Sequence, residues 1–509
     1  MPTRFGIADR WFARIDAILS GKQAWISAIT FVLVLQIALT TQHRPWLDEW
    51  QALQLAAQSP RLSDLIFGLH YEGHPPLWYL ILRGLAALLP DPAYALPAAA
   101  LIIAIPVQLT ILLAAPFTRA ERLMLALSEF MLFEYLTLSR SLTLGVAAMV
   151  AVAALWKRPR LVWLAIAILP MCDFLFGVIS VLFVALRLRE RRVYWPFAAL
   201  WLASGLIAAW CVRPAPDIAS ALLPETPVIE FWQWLARMGT LGLPLQWGAV
   251  LPQWNKPPTL WLGAPALLAF FAMAWIELRK RRDFAAVFAA FVAVLLVFDL
   301  TVYQLSIRHL TLAAMLLIVL VWRMAEDGVD GDADGGADGG APRSAWWRAW
   351  LIVIAACGLF TAAIALAIPF DTAPEAAATI NRLGLREKTW VAAPRPSAQG
   401  IAAIGGMMTE RLMQHCTEDF MRWNAPEDQQ VDTFAKLDRL LRAKLQQNGR
   451  FYLISWNNIP ADPTLLRRIA VIPPGYDGQA YYLYVVGETR PETRSTAPPC
   501  NGPHRPLGA

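Results

Sequence analysis

Long apolar runs recur along most of this chain, and they restrict its fold more than any other feature. They lie at 22–41, 74–90, 95–116, 121–137, 141–156, 161–170, 172–188, 195–212, 258–279, 284–300, 309–324 and 347–369. Runs of this kind cross about 30 Å of hydrocarbon as single helices, or pair inside it as shorter broken ones. Of the 509 residues 57% are hydrophobic and only 16% charged, with a mean hydropathy of +0.45. That balance is too apolar for a soluble globular chain. The sequence specifies a polytopic α-helical membrane protein.

Basic residues set its expected orientation. Arg4, Arg10, Arg14 and Lys22 precede the first run, and further blocks lie at Lys157 to Arg160, Arg187 to Arg192 and Arg279 to Arg282. Such blocks mark cytoplasmic loops. No small-residue cleavage site follows the first run, which reads as an uncleaved span. The loops at 42–73, 138–140, 213–257 and 300–308, and the tail beyond Phe370, then share the outer face. An inside N-terminus and an outside tail need an odd number of crossings, so the runs between 74 and 116 must net one. Eleven or thirteen crossings are expected. The formal charge of +6 comes from short blocks between apolar runs, with no basic stripe interleaved with aromatics, so nucleic acid is not an expected partner.

The expected domains are a membrane domain over 1–370 and a small extracytoplasmic α/β domain over 371–509. In the tail, helical patterns at 374–383 and 431–447 alternate with the strand-like "TWVAA", "RFYLISW" and "AYYLYVV". The run "EDGVDGDADGGADGG" at 326–340 reads as a solvated acidic linker in a cytoplasmic loop over 325–345. Its Asp330, Asp332, Asp334 and Gly335 match the opening of a calcium loop, but Ala341 stands where a bidentate Glu is required. Cys172, Cys211 and Cys357 lie in or beside apolar runs, whereas Cys416 and Cys500 fall in the tail, where an oxidising compartment permits a disulfide.

Polar chemistry concentrates in the first outer loop. "HYEGHPPLWYL" at 70–80 superficially resembles a zinc-protease helix. Glu72, however, is two places after His70, Gly73 loosens the backbone, and Pro75 bars an ordinary helix through His74. The prolines fit the first turn of a membrane helix, which puts Glu72 and His74 at its outer mouth. Upstream, "RPWLDEWQALQLAAQ" at 44–58 has the amphipathic character of a helix lying along the membrane surface, with Asp48 and Glu49 at headgroup level. A plain alternative is that the paired acids only favour a solvated helix start.

An ordered set of segments now resembles a known family. "WLDEWQALQLA", then "EGHPPLWYLI" opening the next helix, "YLTLSRSLTLG" at 135–145, "LPMCDFLFGVI", and "VYQLSIRHLTL" are together similar to the integral-membrane glycosyltransferases of the GT-C superfamily. The likeness is to the protein O-mannosyltransferase and lipid A aminoarabinose transferase type, over about residues 20–325. It implies a GT-C-like fold in a bacterial inner membrane. The implied reaction is inverting transfer of a sugar from a polyprenyl phosphate to an acceptor hydroxyl at the outer face, the acceptor being a glycan, lipid or protein.

Within that expectation Asp48, beside Glu49, is the catalytic base, because a hydroxyl needs a positioned base. The departing lipid phosphate needs fixed cations, and Arg140 and Arg308 suit it, being always charged and forked. Snorkelling to headgroups is the ordinary alternative for each. Glu72 and His74 orient acceptor or sugar, or else form a structural turn at the interface; His309 adjoins the second arginine, and Tyr303 stacks on the sugar or anchors the chain at the interface. Asp173 and Asp217 are weaker candidates. No cofactor and no metal are expected. Ser141 and Leu142 stand where relatives often carry an aromatic, and Cys172 and Asp173 where Asn or Thr is common. Both departures bear on the sugar's identity more than on the reaction. Three rival readings are a lipid-linked polysaccharide polymerase or ligase, a lipid or sugar transporter, and a sensor that binds through its tail. The loop at 213–257 offers a polymerase only Arg213 and Arg237, and no repeated halves suggest a transporter.

Overall fold

The computed structural model describes residues 7–216, 218, 227–248, 251–328, 343–423, 431, 433–460, 462, 464–492 and 497–500. Asp217 and the calcium-like run at 330–341 lie outside them. The chain forms two compact units. One comprises Met1–Gln42, Ala100–Trp210 and Ala221–Ala367; the other comprises His43–Ala99, Cys211–Ser220 and Ile368–Ala509. The tail therefore shares a unit with residues 43–73 of the first outer loop.

Six helices among the described residues are long and apolar enough to cross a membrane: Lys22–Gln42, Pro92–Ala114, Leu260–Leu278, Arg282–Thr301, Ile307–Glu326 and Ala345–Ala367. Four shorter apolar helices accompany them: Leu77–Leu88, Ser141–Leu155, Pro159–Met171 and Trp195–Cys211. The helix Leu77–Leu88 falls in the region where the crossing count was out of parity. At 12 residues it reaches only about 18 Å.

In the first unit the apolar core gathers on Leu312–Glu326, whose residues from Leu312 to Met324 are all buried. Its sequence, "LAAMLLIVLVWRM", is apolar all round up to Arg323, which suits a helix surrounded by others. The expected span at 121–137 is broken. Arg119–Ala126 is a short helix whose Thr118 side chain accepts from Glu121 N at 3.3 Å while Thr118 N donates to Glu121 at 3.1 Å. A π-helical turn follows at Phe130–Glu134. Helix Ala345–Ala367 packs directly on this break. A Cβ on Gly358 would lie 2.1 Å from the Leu127 carbonyl oxygen, so only glycine permits the approach.

Among the described residues the second unit holds a six-stranded sheet of β1 (Trp390–Ala392), β2 (Thr409–Glu410), β3 (Thr417–Glu418), β4 (Phe451–Ser455), β5 (Leu466–Ile472) and β6 (Tyr481–Val486). Their order is β3-β2-β1-β4-β6-β5. β1 runs parallel to β2 and β4, and the remaining pairs are antiparallel. β4 is buried throughout. Its Tyr452 and Ile454 join a core with helix Ala373–Arg382, while Phe451 and Leu453 pack with Leu437, Leu441 and Leu445 of helix Phe434–Asn448. Alternation in one strand thus feeds two opposite faces. The permitted Cys416–Cys500 disulfide is formed.

Helix Leu47–Gln58 belongs to the same unit and differs from expectation. Glu49 to Ala56 are all buried, where a surface-lying amphipathic helix would leave one side open. The reason is that residues 399–421 of the tail cover it, bonding to its glutamines.

Candidate active site

In the first unit the π-helical turn ends on one acid, Glu134, and is preceded by another, Glu129, which a regular helix would not place together. Glu129 and Glu134 are 1% and 4% exposed. Gln246 bridges them, its Nε2 donating to Glu129 Oε1 at 3.0 Å and to Glu134 Oε2 at 3.4 Å. Trp254 Nε1 donates to the same Glu134 oxygen at 3.0 Å. Buried carboxylates are tolerated only when paired and hydrogen-bonded, and π-turns concentrate at functional positions.

Two cations complete the cluster. Glu134 is within electrostatic reach of both Arg308 and Arg140. The Arg308 guanidinium also lies over the Trp254 ring, 5.7 Å from its centroid, and its backbone carbonyl accepts from Tyr135 OH at 2.7 Å. Arg308 sits on the short helix Ile307–Leu310. There the His309 ring meets Ser306 Oγ through Nδ1 at 2.9 Å. Arg140 precedes helix Ser141–Leu155, in extended backbone after the break. Two arginines far apart in sequence are therefore in the field of one buried acid. Guanidinium groups whose charge a buried acid partly balances can stabilise an oxyanion.

In the second unit Asp48 is half-buried in the first turn of helix Leu47–Gln58. Its neighbour Glu49 is fully buried and committed locally: Oε2 accepts from Trp46 N at 3.1 Å and meets His43 Nε2 at 2.7 Å. That caps the helix start. The His43 ring packs on Phe370, with centroids 4.8 Å apart. Nearby, burial pushes the Asp371 carboxyl up to about 6, with the Glu49 charge a smaller cause. Glu72 accepts from Gln51 Nε2 at 2.8 Å. His74 contacts the Glu72 carbonyl through Nδ1 at 2.7 Å. Helix Leu62–Glu72 stops at Gly73, whose φ of 67° is left-handed, so His70 and His74 do not share a helix face. Among the described residues no group of three or more His, Cys, Asp or Glu could hold a metal ion.

The eight residues singled out from sequence thus divide between the units, with Asp48, Glu49, Glu72 and His74 in one and Arg140, Tyr303, Arg308 and His309 in the other. Tyr303 is 47% exposed in the turn after helix Arg282–Thr301. Asp173 caps helix Phe174–Arg189, accepting from Leu175 N at 3.0 Å. Glu129, Glu134, Gln246 and Trp254 were not foreseen. The available signal was two acids inside an apolar run, "EFMLFEY", since intramembrane acids are functional by default.

The chain matches no family model and no curated protein. Among solved structures it is similar to the crystal structure of ArnT from Cupriavidus metallidurans bound to undecaprenyl phosphate. The identity is 12% and the TM-score 0.45, over 91% of this chain and 98% of that one.

Proposed function

We propose that this chain is an inverting glycosyltransferase that takes a sugar from a polyprenyl-phosphate donor and passes it to an acceptor hydroxyl at the outer face of a bacterial inner membrane. The observation that carries the reading is the buried cluster in which Trp254 donates to Glu134 at 3.0 Å and the Arg308 guanidinium lies over the Trp254 ring, with Arg140 within electrostatic reach of the same acid. A lipid phosphate gains negative charge as its bond to the anomeric carbon breaks, and preorganised guanidinium groups stabilise that charge where it develops. Trp254, fixed by its bond to Glu134, carries the Arg308 guanidinium over its ring beforehand.

Asp48 takes the hydroxyl proton as the oxygen attacks the anomeric carbon and the bond from that carbon to the phosphate oxygen breaks. The proton ends on the Asp48 carboxylate, the electron pair of the broken bond on the lipid phosphate, and the configuration inverts. Glu49, already held by His43 and the Trp46 amide, fixes the helix turn that presents Asp48. Glu72 and His74 orient the acceptor or the sugar. The reaction so written needs no cofactor.

The test is transfer from radiolabelled polyprenyl-phosphate sugars in reconstituted membranes, comparing the native chain with Asp48→Asn. Loss of a general base is expected to lower transfer by about 10²–10⁴-fold. Equal transfer by both proteins removes Asp48 from the base role.

A further inference from the structure

Gln51, Gln54 and Gln58 recur at three- and four-residue spacing, and so line one side of helix Leu47–Gln58. They are 3%, 0% and 8% exposed. Burying a primary amide is costly unless its donors and acceptor find partners, and here the tail supplies an acceptor for each Nε2 and a donor for Oε1 of Gln51 and Gln54. Gln51 Nε2 donates to the Met421 carbonyl, and Met421 N donates back to Gln51 Oε1 at 3.1 Å. Gln54 Nε2 donates to the Asp419 carbonyl at 3.1 Å, and its Oε1 accepts from Gln399. Gln58 Nε2 donates to Asp419 Oδ2 at 2.8 Å.

The segment that receives these bonds is itself held from behind. It follows β3, where Arg395 and Arg411 both bond the buried Glu418 at 2.8 Å. The Cys416–Cys500 disulfide closes the start of β3, and backbone bonds join Thr417 N to Pro498 O at 2.9 Å and Cys500 N to Thr417 O at 2.8 Å. Gln51 has one further partner, Glu72, at 2.8 Å.

We propose that the tail segment 419–421, locked by the Cys416–Cys500 disulfide, is a clamp that sets the pose of the helix carrying Asp48, with Gln51 as the positioning residue that couples this helix to Glu72. The tail then serves the reaction by holding the acidic loop. The disulfide makes that hold conditional on an oxidising compartment, so the loop is set only after export. The catalytic part of this inference rests on the assignment of Asp48 as base; the structural part does not.

The experiment compares the native full chain with Cys416→Ser/Cys500→Ser and with Gln51→Leu, by amide hydrogen exchange over 47–58 and by transfer kinetics in reconstituted membranes. Protection over 47–58 is expected to fall about tenfold or more in both variants. The turnover kcat is expected to fall about 10- to 100-fold, as for a reacting group displaced by a fraction of an ångström to one ångström. The KM for the lipid donor should hold, because the phosphate is assigned to Arg140 and Arg308. Native-like protection over 47–58 in both variants overturns the clamp. If Gln51→Leu does not accumulate, native protein treated with dithiothreitol replaces it in the exchange measurement. Loss of protection together with undiminished transfer by Asp48→Asn leaves the clamp standing and removes the base.

Discussion

The Tyr135 hydroxyl donates to the backbone carbonyl of Arg308 at 2.7 Å, across 173 positions of sequence, and meets Thr311 Oγ1 at 2.8 Å. One side chain beside the π-turn thus fixes the short helix that carries the second arginine. Tyr135→Phe keeps the ring and deletes both bonds. Hydrogen bonds between membrane helices contribute about 0.6 kcal/mol on average and about 1.7 at most, so a small loss of thermal stability in detergent is expected. Donor binding should suffer more than stability, because Arg308 loses its anchor: the KM for the lipid donor rises while the fold persists. An unchanged KM would show that the hydroxyl serves packing alone.

Much of the fold was legible because it follows from solvent preference. The expected run at 22–41 became helix Lys22–Gln42, and "RFYLISW" and "AYYLYVV" became β4 and β6. β5 was missed because "LRRIAVI" puts Arg467 and Arg468 side by side and disturbs the alternation; β2 and β3 are two residues long, too short to show any period. The site was less legible. Averaged hydropathy passes over Glu129 and Glu134, which are isolated acids in an apolar run, and no local pattern links them to Gln246 or Trp254. The glutamines of helix Leu47–Gln58 look water-facing by composition. They are buried because distant tail backbone covers them, which no local pattern shows.

The tail unit should become less stable as pH rises. Burial pushes Asp477 up to about 8, with the charge of Asp371 adding to it. The unfolded value is about 3.9. A carboxyl whose folded pKa is raised binds its proton more tightly when folded, so its stabilisation is full below the unfolded value and is lost as pH climbs through the folded one. The loss is at most about 1.4 kcal/mol per pH unit for one proton. Chemical denaturation of the full chain in detergent, followed by exchange over the tail, should show native stability falling between pH 6 and pH 8. Asp477→Asn should flatten that slope. A native tail that gains stability over this interval would contradict the sign.

Gly358 is the point where helix Ala345–Ala367 touches the broken segment. An added Cβ would meet Leu127 O at 2.1 Å and Glu129 N at 2.6 Å, both backbone atoms that cannot swing aside. Gly358→Ala should destabilise the first unit by about 1–3 kcal/mol, the usual range for overpacking. Gly205, in helix Trp195–Cys211, is the control, since a Cβ added there would meet nothing within 4 Å. Gly205→Ala is expected to be neutral or to stabilise by up to about 1 kcal/mol through helix propensity. Thermal unfolding of both variants in the same detergent decides the matter. Equal melting temperatures would mean that the close approach relaxes without cost.

Asp299 and Arg237 provide the last test, because they hold the chain that leads into Arg308. Asp299 is fully buried in the final turn of helix Arg282–Thr301, with Oδ2 accepting from Arg237 Nη2 at 2.7 Å and Oδ1 from Leu305 N at 2.6 Å. Removing one partner of such a pair leaves an uncompensated buried charge, at a cost of about 3–5 kcal/mol. Asp299→Leu is therefore expected to be severely destabilising. The double variant Arg237→Leu/Asp299→Leu removes both charges and should cost less than Asp299→Leu alone, leaving mainly the unpaired Leu305 amide at about 1–3 kcal/mol. The double-mutant cycle reads the coupling directly. If the double variant is as damaged as the sum of the singles, the pair does not interact. Asp299 would then act only through its bond to Leu305.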